Sequence, residues 1–182
     1  MSNLLLFILL SLPLLLLSWR ALFQVKSHGF YRFFAWEGIL WLFLSNYPHW
    51  FVRPLAVHQV FSWILLFASL YLVIVGVVQM KKRGKARQSR TDEALYAFER
   101  TTELVDTGIF KYIRHPLYAS LLYLAWGICL KNPGFQMLCV ALLVTVFLYL
   151  TAKADERECL EYFGDKYVEY RKRSKMFVPF VF

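Results

Sequence analysis

The chain has 182 residues, of which 59% are apolar and only 18% are charged, and its net charge is +9. Soluble domains carry about a quarter charged residues, so the composition excludes an ordinary soluble domain and indicates one membrane-embedded domain. Cys129, Cys139 and Cys159 are widely spaced, and two of them lie in apolar runs; they indicate neither a disulfide framework nor a metal site. Basic residues that flank membrane spans set topology and meet anionic lipid. We therefore expect a membrane-lipid partner and no nucleic acid.

Five apolar runs predict an all-α integral membrane fold, a bundle of about five transmembrane helices. The runs cover residues 4–17, 33–44, 60–80, 116–130 and 135–153. The third has about 20 residues, the length that crosses a hydrocarbon core of ~30 Å. The first lacks a positive leading segment and a small-residue cleavage site, so we interpret it as a retained anchor. A Lys-Asn-Pro-Gly turn after the fourth run makes the last two an antiparallel hairpin.

The basic residues predict the orientation of the bundle. With the loop before the fourth run in the cytoplasm, 19 of the 21 Lys and Arg lie on that face, and only Arg53 and Lys131 lie on the other. This asymmetry satisfies the positive-inside rule, with the N-terminus outside and the C-terminus cytoplasmic. Four spans, without the second run, would place Arg20, Lys26 and Arg32 outside, so we prefer five.

The predicted single domain has four parts. They are the N-terminal spans (1–80), a cytoplasmic cofactor loop (81–115), the helical hairpin (116–154) and a cytoplasmic amphipathic helix with a tail (155–182). Inside the second run stands Glu37, a carboxylate that is costly to place in a membrane. We expect it to face the bundle and to pair with Arg32 or with a polar group of the third span.

A polar stretch precedes the fourth run and reads Gly-Ile-Phe-Lys-Tyr-Ile-Arg-His-Pro-Leu-Tyr at 108–118. Pro116 suits the first turn of a helix, which places His115 at the N-cap and Tyr118 on the same face. Free N–H groups and the helix dipole favour an anionic group there, and the Arg114 fork can hold the same group. Alternatively, Arg114 snorkels to headgroups and Tyr118 belongs to an interfacial aromatic belt.

A second polar cluster follows the fifth run. Asp155 and Glu156 stand where the hairpin returns, so Glu156 and His115 should lie at the same end of two neighbouring helices. Further apolar side chains at helical spacing predict a helix that lies on the membrane or folds back on the bundle. Gly164 predicts a break in it.

These two clusters together resemble a known superfamily. The pattern Gly-x-Phe-x-Tyr-x-Arg-His-Pro-x-Tyr before one span, then Asp-Glu and Phe-Gly-x-x-Tyr-x-x-Tyr after the next and Pro179 near the end, is similar to the isoprenylcysteine carboxyl methyltransferases and phospholipid methyltransferases. The similarity covers residues 104–180. It implies an integral-membrane enzyme that binds S-adenosylmethionine in a cytoplasm-facing pocket and methylates a lipophilic or small acceptor.

The resemblance also implies site residues. Arg114 and Glu156 would be catalytic. The cofactor would be held by Leu104, Val105, Gly108, Tyr112, His115, Pro116, Tyr118 and Glu156. A carboxylate acceptor such as an isoprenylcysteine needs no general base, whereas a phospholipid amine or a thiol must lose a proton, for which the sequence assigns no residue.

Two departures leave alternatives open. The superfamily often has a Glu pair where this chain has Asp155 and Glu156, and the Asp-Glu-Arg-x-Cys segment also resembles sterol reductases. Those reductases usually have Asn in the place of Leu117 and are much longer. The alternatives are an NADPH-dependent reductase of the sterol type and a non-enzymatic membrane protein that retains the fold.

Overall fold

The computed structural model describes residues 3–84 and 101–179, and in these ranges the chain is all-helical, as predicted. Six α-helices follow one another in the described residues: α1 (Asn3–Leu22), α2 (His28–Asn46), α3 (Val57–Arg83), α4 (Pro116–Cys129), α5 (Phe135–Phe163) and α6 (Asp165–Arg173). Short 3-10 helices cover Tyr47–His49 and Gly108–Lys111. Part of the predicted cofactor loop, 85–100, lies outside the described residues.

Three helices in the described part of the chain, α1, α3 and α5, are long and apolar enough to cross a membrane. With 20, 27 and 29 residues, they measure roughly 30, 40 and 44 Å at ~1.5 Å per residue. Their outer faces expose large apolar side chains, including Leu16, Phe67 and Leu143, as lipid contact requires. Helix α4 is apolar but has only 14 residues, and α2 carries Arg32 and Glu37. The count of five spans therefore stays a prediction.

The helices pack in two closely joined pairs, α3 with α4 and α2 with α5, while α1 covers α2. Small residues make the close approach possible. A Cβ at Gly38 of α2 would lie 2.4 Å from the Val144 side chain of α5, and one at Gly127 of α4 would lie 2.9 Å from Leu66 of α3. Close packing through small residues is the usual way in which membrane helices associate.

The last long helix differs from its predicted extent. We expected the hairpin to end at residue 154, but α5 continues without interruption to Phe163. Gly164, with φ +57°, ends it and begins α6, so the expected break at this glycine is present. The helix can continue because one side of residues 155–163 remains against the bundle, where Glu156 is buried, while the other side is exposed. No turn is needed to keep this arrangement.

Glu37 contacts α1. Its Oε2 accepts a hydrogen bond of 2.6 Å from the Ser11 hydroxyl of that helix, and the expected pairing with Arg32 or the third span stays a prediction. The carboxylate therefore faces the α1–α2 contact, because α1 lies against this side of α2.

Candidate active site

A cavity opens where α4 begins, and its free space is about 710 Å³ including the mouth. Its wall comes from the end of α3, the segment before α4, the first turn of α4, the end of α5 and α6. The lining residues are Met80, Thr101, Leu104, Val105, Phe110, Arg114, His115, Pro116, Leu117, Tyr118, Asp155, Cys159, Phe163, Tyr167 and Tyr170.

The C-terminal tail fixes the segment that leads into α4. Ile113 and Lys175 form an isolated parallel β-bridge. The Arg114 N–H donates to the Lys175 carbonyl at 2.7 Å, and the His115 N–H donates to the Met176 carbonyl at 3.2 Å. Because both backbone donors are held by the tail, the side chains of Arg114 and His115 start from a fixed backbone.

Gly108 and the end of α3 fix the start of the same segment. Gly108 has φ +63°, and a Cβ there would lie 2.3 Å from the Gln79 side chain. The Gln79 Oε1 accepts a hydrogen bond of 3.0 Å from the Ile109 N–H. Glycine is required at this position both by its left-handed backbone and by the close approach.

The first turn of α4 has the predicted arrangement. Pro116 is its first residue, and His115 occupies the N-cap position without a side-chain capping bond. The His115 ring stacks on the Tyr118 ring, with centroids 5.5 Å apart and planes 22° apart. The imidazole is therefore held between a tyrosine ring and the end of α5.

Two carboxylates of α5 approach the His115 ring. Its Nδ1 lies 3.3 Å from Asp155 Oδ2, and its Nε2 lies 3.6 Å from Glu156 Oε1. The buried Nε2 has no hydrogen-bond partner among the described residues. Burial by itself lowers the pKa of His115, but the hydrogen bonds and charges of the two carboxylates outweigh it, so the pKa is raised above its ordinary value of 6.5.

Glu156 is surrounded by cations of the chain itself. Its Oε1 accepts from Arg114 Nε at 3.0 Å, and its Oε2 lies 3.4 Å from Lys153 Nζ and 3.9 Å from Arg171 Nε. Its side chain is only 3% exposed. The Arg114 guanidinium also donates to the Ser174 carbonyl. Glu156 therefore neutralises the charges behind the cavity wall and is not free to accept a ligand.

Two tyrosines of α6 complete the wall. The Tyr170 hydroxyl donates to the Phe110 carbonyl at 2.6 Å, and the rings of Tyr167 and Tyr170 meet edge to face at 5.8 Å. Burial raises the pKa of both phenols, so both are neutral at physiological pH. The ion pair of Arg173 with Asp106 ties α6 to the segment before α4.

The structure gathers most of the predicted site residues. Six of them line the cavity: Leu104, Val105, Arg114, His115, Pro116 and Tyr118. The other three lie outside its wall. Gly108 contacts Gln79, Tyr112 is 44% exposed, and Glu156 lies behind Arg114 and His115.

Several residues of the cavity wall were not among the predicted site residues. Asp155, Cys159 and Phe163 stand four residues apart on one face of α5, and all three line the cavity. A helical spacing of four, read from Asp155 onward, was the signal that could have found them. Tyr167 follows on α6, because that helix folds back on the bundle.

A match to a protein-family model shows to which family the chain belongs. The model of the phospholipid methyltransferase family, described as "Phospholipid methyltransferase", matches residues 57–166. The chain belongs to the phospholipid methyltransferase family. The match runs from the start of α3 to the start of α6, so the family region includes most of the cavity wall, and α1, α2 and the C-terminal tail lie outside it. No solved structure matches the chain significantly.

Several proteins of known name are similar in sequence to this member of the phospholipid methyltransferase family. Methanethiol S-methyltransferase 1 of Bradyrhizobium diazoefficiens is 26% identical over 123 residues, 65% of this chain and 39% of the relative. Human protein-S-isoprenylcysteine O-methyltransferase is 33% identical over 86 residues, 44% and 29% of the two chains. Protein-S-isoprenylcysteine O-methyltransferase B of Arabidopsis thaliana is 28% identical over 121 residues, 65% and 61%. The matched part thus spans less than two thirds of each relative.

Proposed function

We propose that this protein is a membrane-embedded methyltransferase that takes its methyl group from S-adenosylmethionine and passes it to a lipophilic or small acceptor. One observation carries the proposal. In a member of this family, His115 lines a cavity at the N-terminal end of α4, and its buried Nε2, 3.6 Å from Glu156 Oε1, has no hydrogen-bond partner among the described residues. A buried polar atom left without a partner costs free energy, and a ligand in the cavity would supply one.

The residues of the cavity fit the chemical groups of S-adenosylmethionine. The ligand has a carboxylate and an amine at one end, a sulfonium, and a ribose and adenine at the other end. The positive end of the α4 dipole and the Arg114 guanidinium favour the carboxylate. Asp155 is a carboxylate that can accept from the amine or from hydroxyl groups, and the rings of Tyr118 and Tyr167 provide π faces for a cation.

When bound, the cofactor supplies an electrophilic methyl group on sulfur. Methyl transfer depends above all on in-line positioning of the two reactants. The chain provides that through a rigid wall, since the tail holds the backbone of Arg114 and His115, and Tyr118 and Asp155 hold the His115 ring. The apolar part of the wall, which includes Met80, Leu117 and Phe163, excludes water from the reacting atoms.

The acceptor class follows from that apolar wall and from the relatives' names. These names specify a protein-bound isoprenylcysteine in two cases and methanethiol in the third. Both acceptors are apolar, and the wall near Met80 and Leu117 suits either. We therefore propose a lipophilic or small apolar acceptor.

We also propose that five helices cross the membrane and that the cavity faces the cytoplasm. Two observations support α2 and α4 as spans. Helix α2 contacts Glu158 through His28 at the cavity end and Ile128 through Asn46 at the other end, so it runs the length of the bundle. Helix α4 runs from the cavity to the turn at 131–134. The cavity end carries most of the basic residues, which the positive-inside rule places in the cytoplasm.

Binding of radiolabelled S-adenosylmethionine to the purified protein in lipid nanodiscs tests the proposal. We expect saturable binding by the wild type and a dissociation constant at least tenfold higher for His115→Ala, equivalent to about 1.4 kcal/mol or more. His58→Ala, at the opposite end of the bundle, is the matched control and should bind like the wild type. Saturable binding of NADPH without binding of S-adenosylmethionine would overturn the proposal in favour of a reductase.

Alkylation of Cys159 gives an independent measure. Cys159 lines the cavity, whereas Cys129 is buried and Cys139 is exposed. In a Cys139→Ala background, S-adenosylmethionine should slow the reaction of Cys159 with a maleimide, and NADPH should not. Equal rates with and without S-adenosylmethionine would contradict its binding in this cavity.

A further inference from the structure

A second buried histidine lies next to the site, on a helix outside the family match. His28 is the first residue of α2 and is fully buried. Its Nδ1 lies 2.6 Å from Glu158 Oε2, and its backbone N–H donates to Glu158 Oε1 at 3.0 Å. A carboxylate can only accept, so the ring proton lies on Nδ1. Glu158 thus holds both the backbone and the ring of His28.

Asp155 connects this pair to the cavity. It precedes Glu158 by one turn on α5, and the nearest donor atoms of His28, Asp155 and Glu158 all lie within 4.8 Å of one another. On its other side, Asp155 Oδ2 lies 3.3 Å from His115 Nδ1. Asp155 therefore stands between two imidazoles, one from α2 and one from the start of α4.

The contacts continue into a row of alternating charge that crosses the end of the bundle. In order, its members are Glu158, His28, Asp155, His115, Glu156 and Arg114. Three carboxylates within four consecutive residues of one helix repel one another unless cations separate them. The two histidines stand between them.

Protonation of His28 gives the row its charge pattern. Burial lowers its pKa, but the hydrogen bond that the ring donates to Glu158 and the charges of Asp155 and Glu158 outweigh burial and raise the pKa above 6.5. Arg32, which faces His28 from α2, opposes the increase without reversing it. A shared proton also fits the geometry better than a shared metal ion. Two ligands of a tetrahedral zinc, each at ~2.0–2.1 Å, would be roughly 3.3 Å apart, whereas the two atoms here are 2.6 Å apart.

We propose that His28 is a positioning residue of the cofactor site: it holds Asp155 in place, and Asp155 in turn orients the His115 ring. Helix α2 thereby takes part in cofactor binding without touching the cavity. The inference rests on the proposed function. Without the positive charge at His28, Asp155 loses one of the three cations, with His115 and Arg32, that offset the repulsion of Glu158, and its orientation at His115 is less firmly fixed.

The pH dependence of cofactor binding distinguishes this role from simple packing. The dissociation constant of S-adenosylmethionine is measured for the wild type and for His28→Gln between pH 6 and pH 9.5. At pH 6 we expect binding by the variant to be about three- to tenfold weaker, the size typical of coupled side chains. Because the raised pKa keeps His28 protonated at low pH, the wild type loses this advantage as the pH rises. The ratio of the two constants should therefore fall toward one.

Three further variants make the test decisive. Glu158→Gln retains the imidazole but removes the carboxylate that raises its pKa, so its loss of affinity should set in at a lower pH than in the wild type. His58→Gln and Glu161→Gln are matched controls, an imidazole and a carboxylate away from the row, and should give a ratio near one. A ratio for His28→Gln that is the same at every pH, or that is one throughout, would overturn the proposal.

Thermal denaturation without cofactor separates the two possible failures. If the wild type does not bind S-adenosylmethionine, the proposed function fails, but the charge row is still tested. The melting temperature of the wild type should exceed that of His28→Gln at pH 6, and the difference should shrink as the pH rises through the raised pKa. A difference of constant size would show that His28 acts only by packing.

Discussion

Three contacts fix His115. Its backbone N–H is bonded to the Met176 carbonyl, its ring stacks on Tyr118, and its Nδ1 faces Asp155. The remaining nitrogen, Nε2, is buried beside the cavity. A side chain held in this way loses little conformational entropy when it binds a ligand. Rigid placement is the contribution that methyl transfer needs most from a protein.

Glu156 forms ion pairs with cations of the chain itself, and its role in catalysis and cofactor binding stays a prediction. It bonds to Arg114 and lies near His115, Lys153 and Arg171. Its negative charge holds these cations together behind the cavity wall. The carboxylate that lines the cavity is its neighbour, Asp155.

Glu156→Gln should destabilise the protein and weaken cofactor binding together. The amide keeps the shape of the side chain but leaves Arg114, which is 11% exposed, without a counter-charge, and leaves His115, which is 4% exposed, with Asp155 as its counter-charge. We expect the free energy of unfolding to fall by at most about 3 kcal/mol, because Lys153 and Arg171 are two-fifths exposed and can turn to solvent. The dissociation constant of S-adenosylmethionine should rise about tenfold, since Arg114 loses its orienting partner.

Thermal denaturation and binding in nanodiscs measure the two effects. Glu161→Gln removes an exposed carboxylate from the same helix and should change neither. Wild-type stability in Glu156→Gln would show that the cations behind the wall need no common partner.

At the scale of elements, α4 is fixed at both ends by other parts of the chain. Its C-terminal carbonyls accept from side chains of two neighbouring helices: Gly127 O from Ser62 at 2.6 Å and Ile128 O from Asn46 at 3.0 Å. Helix ends buried without such donors are unstable. Its N-terminal end is held by the tail, as described above. The cavity is therefore built at one end of a helix that cannot shift along its axis.

The turn between α4 and α5 contains a buried lysine. Lys131 is only 2% exposed, and its Nζ donates to Gln59 Oε1 at 3.1 Å. The same ammonium lies 3.5 Å from the centroid of the Trp63 ring and 5.2 Å from that of Trp50. The Gln59 amide donates to the carbonyls of His49, Val52 and Lys131. This cluster joins the turn to the loop between α2 and α3.

Lys131→Met should lower stability and leave cofactor affinity unchanged. Methionine retains the length of the side chain but loses the cation–π contact and the hydrogen bond to Gln59, whose Oε1 is then buried without that donor. We expect the free energy of unfolding to fall by about 1–3 kcal/mol, measured by thermal denaturation. The residue lies at the other end of α4, about 21 Å from the cavity for 14 residues, so binding of S-adenosylmethionine should be that of the wild type.

Lys166→Met, on the exposed side of α6, is the control for loss of charge and should keep wild-type stability. A loss of cofactor affinity in Lys131→Met as large as that in Glu156→Gln would contradict the independence of the two ends.

At the scale of the whole molecule, the structural features that could be predicted from the sequence are those set by residues close together in the chain. Apolar runs predicted the helices, the Lys-Asn-Pro-Gly turn predicted the hairpin, and the hairpin in turn predicted that His115 and Glu156 would meet. These features follow from periodicity and turn chemistry over a few residues.

The remaining features depend on pairs that are far apart in the sequence. Ile113 pairs with Lys175, and His28 pairs with Glu158 across 130 residues. Lys131 was counted from the sequence only as a basic residue of the non-cytoplasmic side, and nothing local indicated that it is buried against Gln59 and two tryptophans. A local sequence pattern does not predict such contacts, because they depend on how whole helices pack against one another.

The same pairs decide how the molecule lies in a membrane. His28, the end of α5 and the start of α4 all meet at the cavity end, while Asn46, Gln59 and the turn at 131–134 meet at the opposite end. In the proposed five-span topology, helices α1 to α5 cross in alternating directions, and 19 of the 21 Lys and Arg of the sequence would lie on the cavity side. The positive-inside rule would then place the cavity in the cytoplasm and the N-terminus outside.

Cysteine labelling in intact cells tests this orientation in a background with Cys139→Ser and Cys159→Ser, in which buried Cys129 remains. Leu55 is 89% exposed and Lys172 is exposed on α6, whereas Ser174 is buried and unsuited to labelling. A membrane-impermeant maleimide should label Leu55→Cys in intact cells and Lys172→Cys only after permeabilisation. Lys26→Cys, between α1 and α2, decides whether α2 crosses: five spans protect it, and four spans expose it. Labelling of Lys172→Cys in intact cells would contradict the cytoplasmic cavity.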